Sequence, residues 1–117
     1  MLKKTALLPA ILLLCGLPLF AELEGDWAVV SESSYGETYH LRLSLREVDG
    51  ELSGTLSTPE GPVDLRNIQR QGDELTFEVW IAGSSYSVQA KVDGDEMAGT
   101  WRGGGDTGTV KARKTGN

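Results

Sequence analysis

The sequence predicts an all-β chain, an eight-stranded antiparallel up-and-down (meander) β-barrel preceded by a signal peptide, and three observations carry that expectation. Beyond Leu23 apolar residues recur with period two almost without pause, and nowhere at helical spacing over the three turns a packed helix needs. Short breaks bearing Gly and Asp divide this alternation into eight segments. The length of 117 residues, 39% of them hydrophobic, allows one small domain and leaves no room for a second.

Residues 1–21 have a basic start at Lys3 and Lys4, an apolar run from Ala6 to Phe20, and small Ala21 before acidic Glu22. This is the three-part pattern of a secretory signal peptide, with cleavage expected after Ala21, a periplasmic or secreted product and one domain over residues 22–117. A membrane span needs about 20 apolar residues, and this run falls short and carries Pro9 and Pro18, so no stable span is expected. Cys15 raises a lipoprotein as the alternative, but Leu14 stands where such a box wants Gly or Ala. Loss of Cys15 with the signal leaves no thiol for a disulfide, a nucleophile or a metal site. The formal charge of −6 becomes more negative once Lys3 and Lys4 are removed, which argues against nucleic acid or an anionic membrane as partner.

The strands follow in order. The first covers residues 24–31. In the second, Tyr39, Leu41, Leu43 and Leu45 alternate with His40, Arg42, Ser44 and Arg46, giving one apolar and one solvated face. The third covers 51–58. The fourth, 62–69, is the weakest, because the phase set by Val63 and Leu65 slips before Ile68 and indicates a bulge. In the fifth, Leu75, Phe77, Val79 and Ile81 alternate with Thr76, Glu78 and Trp80. The sixth sets Tyr86, Val88, Ala90 and Val92 against Ser87, Gln89 and Lys91. The seventh and eighth cover 96–102 and 107–114.

Asp49-Gly50, Gly72-Asp73 and Asp93-Gly94 separate neighbouring strands by the few residues a tight hairpin allows. The segment 48–55 recurs with one insertion as 92–100, a hairpin used twice. An even number of sequentially paired strands brings the first and last together and lets the sheet close, which removes exposed edges. A flattened two-sheet sandwich is the alternative. The opposite end carries connections that read as looser: 32–36 with Tyr35, 59–61, 83–85 and 103–106. Recognition loops cluster at one end of a rigid scaffold, so that end is the expected mouth. The inward-phase residues nearest it are Tyr39, Leu56, Val63, Ile81, Tyr86 and Trp101, and their rings suit a small amphipathic ligand. The alternative is that these side chains fill the lumen, because an eight-stranded barrel is just wide enough for either use.

Gly25-Asp26-Trp27 on the first strand, followed by the meander, resembles the calycin-like barrels, the lipocalins and avidin relatives. The resemblance implies that a basic residue late in the chain packs over that Trp, and Arg113 or Lys114 is the matching position. Gly50 to Leu56 and Gly99-Thr100-Trp101 look like avidin-type strands, yet Leu56 stands where the avidin pattern has a ligand-contacting tyrosine, so biotin is not implied. The implied property is small-molecule binding.

Other chemistry is thin, and no catalytic residue, metal site or cofactor is expected. His40 is the sole histidine and falls on the outer face, so no zinc set or Ser-His-Asp arrangement can be built from it. Asp93, Asp95 and Glu96 read as a solvated turn rather than a calcium loop, and Gly103-Gly104-Gly105 lacks the Lys-Ser/Thr of a phosphate cradle. Trp80 points outward, and a surface Trp is a favoured interface anchor. Two functions follow: an exported, non-catalytic barrel binding a small, partly apolar ligand at its mouth, or a module that binds or inhibits another exported protein through its wall or loops. Oligomeric state is left open.

Overall fold

The computed structural model describes residues 23–116. The expected signal peptide, with Cys15 and the cleavage point at Ala21, lies outside the described residues. Nine antiparallel strands run through the described residues: β1 (Gly25–Ser33), β2 (Thr38–Val48), β3 (Glu51–Thr58), β4 (Gly61–Asp64), β5 (Arg66–Gln71), β6 (Glu74–Ile81), β7 (Ser84–Asp93), β8 (Glu96–Gly103) and β9 (Asp106–Gly116). They form a single sheet in the order β4-β3-β2-β1-β9-β8-β7-β6-β5. The first and last strands pair, Val29 opposite Ala112, and the sheet curls into a nearly closed barrel rather than a sandwich.

The count of nine corrects the expected eight. The segment expected as the fourth strand breaks into β4, which pairs only with β3, and β5, which pairs only with β6. The phase slip foreseen there as a bulge is a full break. Asn67 takes a positive φ of 51°, a conformation Asn tolerates better than most residues, and the β5–β6 register shifts between Arg66 and Gln69. The Asn67 side-chain amide donates to Glu78 Oε1 on β6 at 2.9 Å, and the Leu65 N–H donates to Gly54 O on β3 at 3.0 Å. Pro62, which has no N–H to give a ladder, sits on the resulting edge strand.

Alternation holds elsewhere. The burial of β1 and β6 switches residue by residue, and Trp27, Leu45, Leu75 and Val79 are essentially inaccessible to solvent. Of these, Trp27, Leu45 and Leu75 belong to the part of the core that fills the end where the 49–50, 72–73 and 94–95 turns lie, while Val79 lies towards the other end of β6. Trp27 Nε1 donates to Leu23 O at 3.0 Å, which satisfies the buried indole N–H and ties the segment before β1 to the filled end. Lys114, not Arg113, lies over the Trp27 ring, with Nζ 5.7 Å from its centroid; Arg113 faces outward and pairs with Glu96 at 3.3 Å.

The expected contrast between tight and loose ends does not hold. The β3–β4, β6–β7 and β8–β9 connections are all two-residue turns, and only the β1–β2 loop is longer. Ala82-Gly83 and Gly104-Gly105 place both turn residues at positive φ, the geometry that matches strand twist, so strands extend further than the glycines and serines implied.

A small barrel forces strands together. A Cβ at Gly99 on β8 would stand 1.9 Å from Gln89 O on β7. Gly99→Ala therefore has to push two backbones apart, and it should cost about 1–3 kcal/mol. The expected readout is a lower urea midpoint with an unchanged slope; an unmoved midpoint would mean that β7 and β8 do not approach so closely.

Candidate functional site

Above the filled end the lumen is open. A cavity of about 390 Å³ occupies the upper half of the barrel and opens between the β1–β2 loop and the turns after β3, β6 and β8. Its wall is mostly apolar, built from inward positions such as Val29, Leu41, Phe77, Val79 and Val110. Period-two alternation positions each of them, because every second residue of a strand faces the same side.

Of the residues expected at the mouth, Tyr39, Leu56, Ile81, Tyr86 and Trp101 all line this cavity. Val63 does not. It lies opposite Leu56 on edge strand β4 and packs against the core from there, since the break at Leu65 takes β4 out of the continuous wall. Trp80 is 50% exposed on the outer face of β6, and His40 is exposed on the outer face of β2, both as the alternation implied.

Two rings set the shape of the cavity. Tyr86 and Trp101 meet edge to face, with centroids 5.8 Å apart and planes at 69°. Trp101 lies across Gly108 on β9, where a Cβ would stand 2.5 Å from the indole Nε1 and Cε2. The ring thus covers a strand glycine. Its Nε1 is buried without a hydrogen-bond partner, so shape rather than a polar tether fixes the ring.

The rim is acidic. Glu37, Glu60 and Asp106 line the opening, and among the described residues no lysine, arginine or histidine lines the cavity. Ser33 Oγ, itself buried, accepts from the Tyr35 and Glu37 N–H groups at 3.2 Å each and organises the β1–β2 loop. The Ser34 hydroxyl donates to Asp106, and the Ser34 N–H donates to Thr107 O at 2.9 Å, which ties that loop to β9. The Tyr39 hydroxyl donates to Glu37 Oε1 at 2.7 Å. That hydrogen bond and the Glu37 charge raise the Tyr39 phenol above its ordinary value, with burial, Tyr86 and Asp106 adding to the shift.

The acidic rim residues, buried Ser31 and Ser33, and deeper wall residues such as Phe77 and Val79 are among the site members that strand phase alone does not single out. Phe77 and Val79 carried a signal, since they share the inward phase of Ile81. Glu37 and Glu60 stand on connections, where alternation is silent, and Asp106 opens β9 at a position the sequence reads as loop. A larger concavity of about 920 Å³ lies on the outer face of β5 to β9, lined chiefly by hydroxyl, amide and charged side chains such as Gln69, Thr76, Gln89, Thr100 and Thr109. It lacks the continuous apolar wall of the lumen, so the lumen is the better candidate.

No family model and no curated protein matches the chain. Solved structures do. A redesigned β-barrel superposes with a TM-score of 0.65 at 12% identity, over 81% of this chain and 93% of that one. EF1p2_mFAP2b bound to DFHBI gives 0.62 at 11%, over 81% and 95%. A variant of the fluorescent protein UnaG gives 0.55 at 10%, over 82% and 98%. The fold is a calycin-like β-barrel. At these identities the likeness is one of fold alone.

The Tyr39–Glu37 contact is open to a direct check. Glu37→Gln removes the charge and keeps the shape, so the Tyr39 phenol should titrate at lower pH than in the parent protein, followed by NMR of labelled tyrosine. An unmoved titration would break the assigned contact.

Proposed function

We propose that the chain is an exported, non-catalytic β-barrel that binds a small, partly apolar ligand in the upper half of its lumen. The cavity of about 390 Å³, closed below by the Trp27 core and walled by Tyr86, Trp101 and aliphatic side chains, is the observation that carries this reading. Pockets of this order suit one small molecule, with apolar surface supplying affinity and a few polar groups supplying orientation. Tyr39, Tyr86 and Trp101 are the proposed ring contacts, and Leu56 and Ile81 the proposed aliphatic contacts. A fold neighbour bound to DFHBI supports the idea that a barrel of this size has space for a small molecule.

Binding is favoured over catalysis because His40, the sole histidine, stands on the outer face away from the cavity. Export rests on the pattern of residues 1–21. A second reading, a protein-binding or inhibitory module, draws on Trp80, whose ring is half exposed on the outer wall.

The test is native mass spectrometry of protein purified gently from its own host, together with Ala90→Phe. Ala90 is buried and lines the cavity, so a phenyl group there occupies the ligand's space. The expected result is a small, reproducible excess mass that vanishes on denaturation and is absent from folded Ala90→Phe protein. A bare parent mass would move the weight to Trp80 and the outer wall.

A further inference from the structure

The chemistry around the lumen also bears on the charge of what enters it, and this step rests on the ligand-binding reading above. We propose that the ligand is a cation, a small amine or quaternary ammonium carried on an apolar or aromatic body. Two features converge on that charge. Glu37, Glu60 and Asp106 come to the rim from the β1–β2 loop, the β3–β4 turn and the start of β9, while among the described residues no basic side chain lines the cavity. Opposite charge within a few ångströms is favourable even near water, and the low-dielectric wall beneath the rim strengthens it. The second feature is aromatic: Tyr39, Tyr86 and Trp101 line the same space, and ring faces attract cations, quaternary ammonium groups above all.

Among the described residues the rim carboxylates form no ion pair. Asp106 accepts from the Ser34 hydroxyl and the Thr107 N–H, and Glu37 accepts from the Tyr39 hydroxyl, all neutral donors that leave the negative charge in place. The ion pair on the outer wall, Arg113 with Glu96, belongs to the opposite end. Inward Lys114 also sits at that closed end, over Trp27. The raised Tyr39 phenol agrees with negative charge gathered above the opening. An anionic amphiphile would meet three carboxylates and no basic partner, so its apolar body alone would have to outweigh repulsion.

Three probes that share one ring system test this: naphthylmethyl-trimethylammonium, naphthalene-methanol and naphthalene-acetate. Binding is followed by tryptophan quenching in the mature protein. The cation should bind about fivefold to tenfold more tightly than the alcohol at low salt, with the acetate weakest, and the gap should narrow as salt screens the rim. Glu37→Gln combined with Glu60→Gln should bring cation and alcohol closer without weakening the alcohol. Equal binding of cation and alcohol, or tighter binding of the acetate, would overturn the charge assignment and leave the lumen reading standing. Failure of all three probes to bind would overturn the lumen reading, and the cation with it. Should the double variant fold poorly, the probe series and its salt dependence in the parent protein still decide.

Discussion

Closure of the sheet is the constraint on which the rest of this structure depends. A sheet of nine short strands laid flat would expose two edges and one apolar face, and pairing of β1 with β9 removes the problem for most of its circumference. The remaining edges, β4 and β5, are consecutive in the chain and joined by Leu65 alone. That residue faces the core, and its N–H reaches Gly54 on β3. The seam is thus the place where the chain passes from one edge of the sheet to the other. A smooth strand cannot do this while keeping ladders on both sides, and the positive φ at Asn67 is the local cost of the passage, about 1 kcal/mol for a residue that tolerates it.

Tight closure also dictates where side chains are absent. Gly99 and Gly108 stand where neighbouring backbone or the Trp101 ring leaves no room for a Cβ, so the curvature that makes the lumen also positions the largest ring within it. Stability and cavity then divide along the barrel axis. Trp27, Leu45 and Leu75 fill one end, with the indole N–H satisfied by Leu23. With that half supplying the packing, the other half can stay hollow without loss of the fold. Burial of a large aromatic and several aliphatic side chains contributes about 1.5–3 kcal/mol each, so a few such residues outweigh the packing forgone above them.

Much of this was legible in the sequence because a barrel of hairpins is written in local code. Alternation assigned the inward and outward faces, which is why Tyr39, Tyr86 and Trp101 meet in one cavity while Trp80 and His40 stay outside it. Three things were not local. The break at Leu65 depends on which neighbour each half of the strand must pair with, and a phase slip before Ile68 reads equally well as a bulge. Val63 consequently left the wall. The tight upper turns hinge on Ala82 adopting a conformation its type disfavours, so tertiary context overrode a composition that read as loose loop. Lys114 shares the inward phase of Val110 and Ala112, but that it lies over Trp27 needed the register of β9 against β1, which alternation within β9 alone does not supply.

Departures from local consistency are unevenly distributed, and that distribution is itself an argument about function. The upper half holds two buried serines, a buried indole N–H without a partner, an alanine at positive φ and three rim carboxylates without a basic neighbour in the cavity. The lower half has its buried indole satisfied and its inward lysine placed over a ring. A sequence selected for stability alone has no reason to concentrate unfavourable choices at one end, since filling that end with aliphatic side chains would remove most of them. Where many small costs gather around one cavity, binding of the proposed ligand would supply the compensating gain. The acidic rim bears most directly on the point, because its three carboxylates line one opening, where the proposed cation would meet charge opposite to its own.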